Sequence, residues 1–311
     1  MTLAIVFPGQ GSQSVGMMRG FAAEPRVEST FREASLLVDV DYWSLVDEGP
    51  PEALNQTVNT QPLMLVAGVA CWRAWRAKGG PMPAWFAGHS LGEYTALVAA
   101  GALDFEEAVP LVRLRAQAMQ EAVPEGTGGI AAILGLDDAR LPELCARAAQ
   151  GEVVEPANLN SPGQVVIAGH RAAVERAMAL AKEMGARRAL MLPMSAPSHC
   201  SLMKPAADRL RARLEQVKLR APAVPVVHNR SVEAFTDPDR IREALVAQLD
   251  HPVRWIETVR FLAGQGVTRI VECGPGKVLA GLVKRIAPDL EVLAITDCAA
   301  LEAAIAKGDA C

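Results

Sequence analysis

Trp85-Phe86-Ala87-Gly88-His89-Ser90-Leu91-Gly92-Glu93 reads as a strand, a sharp turn and the start of a helix, with a serine at the apex. Gly-x-Ser-x-Gly between an apolar run and a helix-forming run is the nucleophile-elbow pattern, in which a strained turn lifts the serine hydroxyl clear of a sheet. Gly88 and Gly92 stand where a side chain would crowd the strand-to-helix crossing. The helix expected over Glu93 to Ala100 would aim free N–H groups and the positive end of its dipole at the serine oxygen, which suits a developing oxyanion.

Working outward, composition agrees with a sheet covered by helices. Half of the 311 residues are hydrophobic but only 5% are aromatic, and the Ala, Leu and Val surplus is that of helices packed on a mostly parallel sheet. A formal net charge of -4 gives no reason to expect nucleic acid or a membrane surface as partner. The longest apolar runs, such as Leu63 to Trp72, fall short of the roughly 18 residues of a membrane span. The N-terminus has no basic stretch and no cleavage site, so a cytoplasmic location is expected. Cys71, Cys145, Cys200, Cys273, Cys298 and Cys311 show no Cys-x-x-Cys spacing. They are expected as reduced thiols, with no metal site.

Leu3 to Phe7 is a strand that opens into Gly9-Gln10-Gly11-Ser12, a loop at the carboxyl end of a strand, where open α/β sheets keep their sites. Helices are expected over Arg26 to Val38, over Gln61 to Arg76 with Pro62 in the first turn, and from an Asp104 cap to Gln120. Glu125 to Pro193 changes character: strand, helix, strand, strand, helix, strand, the order of a ferredoxin-like split βαβ unit. Residues 126–196 are therefore expected as a small inserted domain in a larger α/β domain made of 1–125 and 197–311, with a cleft between them. The larger part resumes with a helix from Leu202 to Val217, a strand at Val224 to His228, helices to Gln248 and Gln265, and two further strand–helix pairs.

A serine nucleophile needs a base, and five histidines are available. His89 should leave the turn in another direction, His170 and His228 end strands, and His251 precedes Pro252 in an extended link. His199 lies where the chain returns from the inserted domain past the cleft, so position favours it. Cys200 beside it lacks a helix N-terminus and reads as a buried structural thiol. The group that orients the base stays open among Asp208, Asp250, Glu272 and a backbone carbonyl. These residues specify acyl transfer through serine and histidine without separating hydrolase from transferase.

Phe7-Pro8-Gly9-Gln10-Gly11-Ser12-Gln13, Gly88-His89-Ser90-Leu91-Gly92-Glu93-Tyr94, Arg115 with Met119-Gln120-Glu121-Ala122, Asn158 to Gln164, Pro197-Ser198-His199, and Gln248 with Pro252-Val253 occur in this order. Over almost its whole length the chain resembles the malonyl-CoA:acyl carrier protein transacylases of bacterial fatty-acid synthesis. The resemblance implies a hydrolase-like core with a ferredoxin-like insert. It further implies Ser90 as nucleophile, His199 as base, the carbonyl of Gln248 as its orienting group, and the N–H groups of Gln10 and Leu91 as oxyanion hole. Arg115 would bind the malonyl carboxylate, with Asn160 and His89 as polar neighbours. Asp250-His251 departs from the family's pattern beside Gln248. The substrate implied is a coenzyme A thioester, malonyl-CoA, with no bound cofactor, and the partner an acidic acyl carrier protein; a monomer is expected. A serine thioesterase and a non-catalytic carrier-docking protein are the competing readings.

Residues 204–220 carry Lys204, Arg209, Arg211, Arg213, Lys218 and Arg220 against Asp208 and Glu215, a net +4 in a chain of -4. Beginning just after His199, this segment is expected to steer the acidic carrier, and Lys277, Lys284 and Arg285 are candidates to extend it.

Overall fold

The computed structural model describes residues 2–194 and 196–309; Ser195 and Cys311 lie outside the described residues. From the N-terminus run β1 (Leu3–Phe7), α1 (Pro25–Val38), α2 (Tyr42–Glu48), α3 (Pro51–Leu54), α4 (Thr57–Ala77), β2 (Trp85–Gly88), α5 (Gly92–Ala99) and α6 (Phe105–Glu121). A second group follows: β3 (Gly128–Leu134), α7 (Leu141–Ala149), β4 (Val154–Ser161), β5 (Gln164–His170), α8 (Arg171–Glu183) and β6 (Arg188–Met191). The chain ends with α9 (Lys204–Leu214), β7 (Val226–Val227), α10 (Pro238–Ala247), α11 (Trp255–Gly264), β8 (Arg269–Cys273), α12 (Val278–Ile286), β9 (Glu291–Ile295) and α13 (Cys298–Asp309).

β1 is the centre of a five-stranded sheet ordered β7-β2-β1-β8-β9, in which every pairing is parallel. Successive side chains of a strand face opposite ways, and both faces here are apolar. Ile5 and Phe7 join a core with α1, α4, α5 and α6. Ala4 and Val6 join a second core with Trp255 and Val259 of α11 and Leu282 and Val283 of α12. A strand covered by helices on both faces requires apolar residues at successive positions, which is how β1 reads.

The second group forms a four-stranded antiparallel sheet ordered β4-β5-β3-β6, the ferredoxin-like arrangement. Ala131, Ile133, Val165 and Ile167 face α7 and α8, and Ile130, Ala157, Val166 and Ala168 face Cys200 on the other side. The small sheet joins the larger part through Val253, whose N–H donates to Ala157 O and whose carbonyl accepts from Leu159 N, both at 2.9 Å.

Several local expectations need correction. α4 starts at Thr57, so Pro62 lies in its second turn. Asp104 makes no side-chain cap on α6 and instead pairs with Arg220. The strand expected at Glu152 to Pro156 runs on as β4 to Ser161 and so takes in Asn158 to Ser161. The strand at Val224 to His228 shortens to Val226–Val227. Helices α2 and α3, built on Asp41 and Pro51 as N-terminal signals, were not anticipated.

The basic segment also reads differently in three dimensions. Arg209, Arg213 and Arg220 pair with Glu121, Glu107 and Asp104, so these cations tie α9 and its following loop to α6 and the residue before it. α12 packs on β4, β8, β9 and α11, and its Arg285 donates to Gln164 of β5. Arg209 and Arg213 are thus each matched by a neighbouring acid, while Lys204, Arg211 and Lys218 form no ion pair among the described residues.

Candidate active site

The elbow is built by close backbone contact. Ser90 holds φ 52°, the left-handed region that costs an L-residue roughly 1–2 kcal/mol. A Cβ on Gly92 would lie 2.1 Å from Phe7 O, and one on Gly9 would lie 2.5 Å from His89 O. The β1 loop and the elbow can thus touch only because both positions lack side chains. Among the described residues the N–H groups of Gln10 and Leu91 have no protein acceptor, and α5 begins at Gly92 directly behind them.

Ser90 Oγ lies 2.7 Å from His199 Nε2, and His199 Nδ1 lies 2.8 Å from the carbonyl oxygen of Gln248. A carbonyl can only accept, so Nδ1 carries the proton and Nε2 is free to accept from the serine. His199 is 2% exposed. Burial, and then the nearby Arg115 guanidinium, pull its pKa down to about 3, which keeps the ring neutral. Asp250 and His251 bond to one another at 2.7 Å, and His251 also reaches Ala247 O. The Gln248 carbonyl is left to His199.

Arg115, on α6, is 1% exposed. It donates to Gln61 Oε1, to Gln248 Oε1 at 3.0 Å and, at 3.4 Å, to Ser90 Oγ. Its buried Nε has no partner among the described residues. Burial lowers its pKa, with Tyr94 and Glu93 acting to hold it up. Arg113, two residues earlier, points elsewhere and donates to Val38 O. His89 Nε2 meets Asn160 Oδ1 at 2.8 Å, a tie between the elbow and the small sheet, and its pKa is lowered by burial.

The other weighed side chains lie apart from the Ser90–His199 pair. His170 accepts from Val153 N. Asp208 is exposed on α9, and Glu272 caps the start of α12 through Leu279 N and Ala280 N. Cys200 is buried with its thiol pushed up to about 12 by burial, as are Cys71 and Cys145. Three polar residues at the site were given no role by the sequence reading, Gln61, Glu93 and Asn229, and His228, weighed there as a base, instead bonds Glu93. Asn229 Oδ1 accepts from Ser90 N at 2.7 Å. Its position just past β7, beside the elbow strand, was the available signal.

A neutral imidazole bonded to a strained serine, two free amides and a buried guanidinium together make a candidate site of the class that transfers acyl groups through serine, to water or to another acceptor. The Acyl transferase domain family matches residues 4–297. The chain is 57% identical over 305 residues to the malonyl CoA-acyl carrier protein transacylase of Salmonella typhimurium, covering 98% of this chain and 99% of that one. The corresponding structure from Coxiella burnetii is 50% identical with a TM-score of 0.97, covering 99% and 98% of the two chains. A solved complex of a type II PKS acyl-carrier protein with its malonyl-transacylase matches at TM-score 0.98 and 53% identity, covering 99% and 100%. The chain belongs to the malonyl CoA-acyl carrier protein transacylase family.

Proposed function

We propose that the protein moves a malonyl group from malonyl-CoA through a Ser90 ester to the phosphopantetheine thiol of an acyl carrier protein. Ser90 Oγ attacks the thioester carbonyl as its proton passes to His199 Nε2. The carbonyl oxygen takes up negative charge against the N–H groups of Gln10 and Leu91 and the start of α5. Collapse breaks the C–S bond, and the coenzyme A thiolate leaves with the proton from His199. The carrier thiol then repeats these steps in reverse and restores the Ser90 hydroxyl. The observation that carries this reading is Arg115, a buried guanidinium beside Ser90 with a free Nε and no carboxylate bonded to it among the described residues. A malonyl carboxylate supplies the missing partner in a charge-assisted, bidentate form. An acetyl group does not.

We further propose that the carrier is acidic, that no bound cofactor is required and that the protein works as a monomer in the cytoplasm. Among the described residues no helix is long and apolar enough to cross a membrane. Residues 126–196 are read as the inserted domain, and 1–125 with 197–311 as the larger one.

Labelled malonyl-CoA is expected to leave a covalent adduct on Ser90 that a carrier thiol discharges faster than water does. Rapid hydrolysis without transfer would instead indicate a thioesterase, and no mass shift in folded protein a docking scaffold.

The depressed pKa of His199 sets the acid limb of the rate. Because the neutral form persists far below the ordinary histidine range, kcat/KM for acylation should stay level from about pH 7 to about pH 5, where a solvated imidazole would lose about 25-fold. A loss of that size would show that His199 titrates as an exposed side chain.

A further inference from the structure

Glu93, in the first turn of α5, is fully buried, and no step of the transfer uses it. Its carboxylate accepts from His228 Nδ1 at 2.7 Å, Asn229 N at 3.0 Å and Gln248 Nε2 at 2.8 Å. Two of these partners lead straight to the reacting groups. Asn229 Oδ1 accepts from Ser90 N, and its Nδ2 donates to Gly88 O, both at 2.7 Å, so the side chain clamps the elbow on both sides of its turn. Gln248 Nε2 also donates to Ser90 O, its Oε1 accepts from Arg115, and its own carbonyl holds His199.

We propose that Glu93 is the positioning residue on which Ser90, His199 and Arg115 are jointly set, and that it is the resting counter-charge of Arg115. The proposal rests on the roles given to those three residues above. Buried charges persist when they are paired and hydrogen-bonded. Of the buried carboxylates among the described residues, Glu24, Glu93 and Glu272, Glu93 is the one joined to Arg115, through the two ends of the Gln248 amide. A carboxylate entering as substrate meets the guanidinium directly, whereas Glu93 acts on it only by charge and through the Gln248 amide, and the two anions repel one another. Removing the charge of Glu93 should therefore misalign the nucleophile and base without weakening the capture of a malonyl carboxylate.

The test compares Glu93→Gln and Asn229→Ala with the parent, each at equal folded concentration by circular dichroism. Two readouts are taken: steady-state malonyl transfer, and the rate at which a fluorophosphonate modifies Ser90. In Glu93→Gln, kcat should fall at least about tenfold while KM for malonyl-CoA stays level or drops. Fluorophosphonate labelling should slow by a similar factor in both variants. A purely structural defect would reduce the folded fraction and leave the rate per folded molecule unchanged. Labelling within about twofold of the parent in either folded variant overturns the positioning role, and a KM that rises with the loss of kcat overturns the counter-charge. If Glu93→Gln does not fold, Glu93→Asp takes its place: labelling should slow because the shorter side chain loses its reach, while KM for malonyl-CoA stays level because the charge is kept, and parental labelling or a risen KM overturns the corresponding half of the proposal. The fluorophosphonate carries no malonyl group, so an error in substrate assignment leaves that readout intact.

Discussion

His199→Ala is expected to slow the acylation of Ser90 by malonyl-CoA by roughly 10⁴-fold or more, the scale on which removing the base of a serine–histidine pair acts. Ser90 Oγ has His199 Nε2 as its acceptor at 2.7 Å. Without that acceptor the hydroxyl must lose its proton to water, and the nearby Arg115 only donates. His89 offers no substitute, since its Nε2 is held by Asn160. Single-turnover labelling with radioactive malonyl-CoA measures the effect. Acylation within about tenfold of the parent would transfer the base role to another group.

Arg115→Ala should remove on the order of 2 to 5 kcal/mol of transition-state stabilisation for malonyl transfer, the range for losing one member of a buried charge pair. The same change should raise activity toward acetyl-CoA relative to malonyl-CoA, because the guanidinium no longer demands an anion in the acyl pocket. kcat/KM for the two thioesters, measured side by side, gives both numbers. Malonyl transfer at the parental rate would mean that selectivity lies outside Arg115.

The strands and helices that carry the site were legible because each has its own local signal. The elbow announces itself by two glycines around a serine, and the small sheet by its alternation of short strands and helices. Position along the chain was enough to favour His199. What remained hidden depends on contacts across long separations. Nothing local distinguishes Arg115 from Arg113 on the same helix, yet one is buried at Ser90 and the other reaches Val38 O. Spacing left the orienting group of His199 open, and only the family resemblance pointed to Gln248, because the group is a main-chain carbonyl, which any residue possesses. The pairing of the basic segment was hidden for a related reason: the acids that meet three of its six cations stand 88 to 116 positions earlier, on α6 and just before it.

The seam between the two sheets has a consequence for engineering. Asn160 holds His89 from the small sheet, Val253 is stitched into β4, and Cys200 is covered by Ile130, Val166 and Ala168. The small sheet is therefore not a cassette that can be exchanged between relatives to retune specificity while the large sheet keeps its chemistry. A chimaera that crosses this seam inherits a Ser90–His199 pair fitted to different neighbours, and a graft that keeps the pair intact has to carry the 247–253 segment and the elbow along with β4.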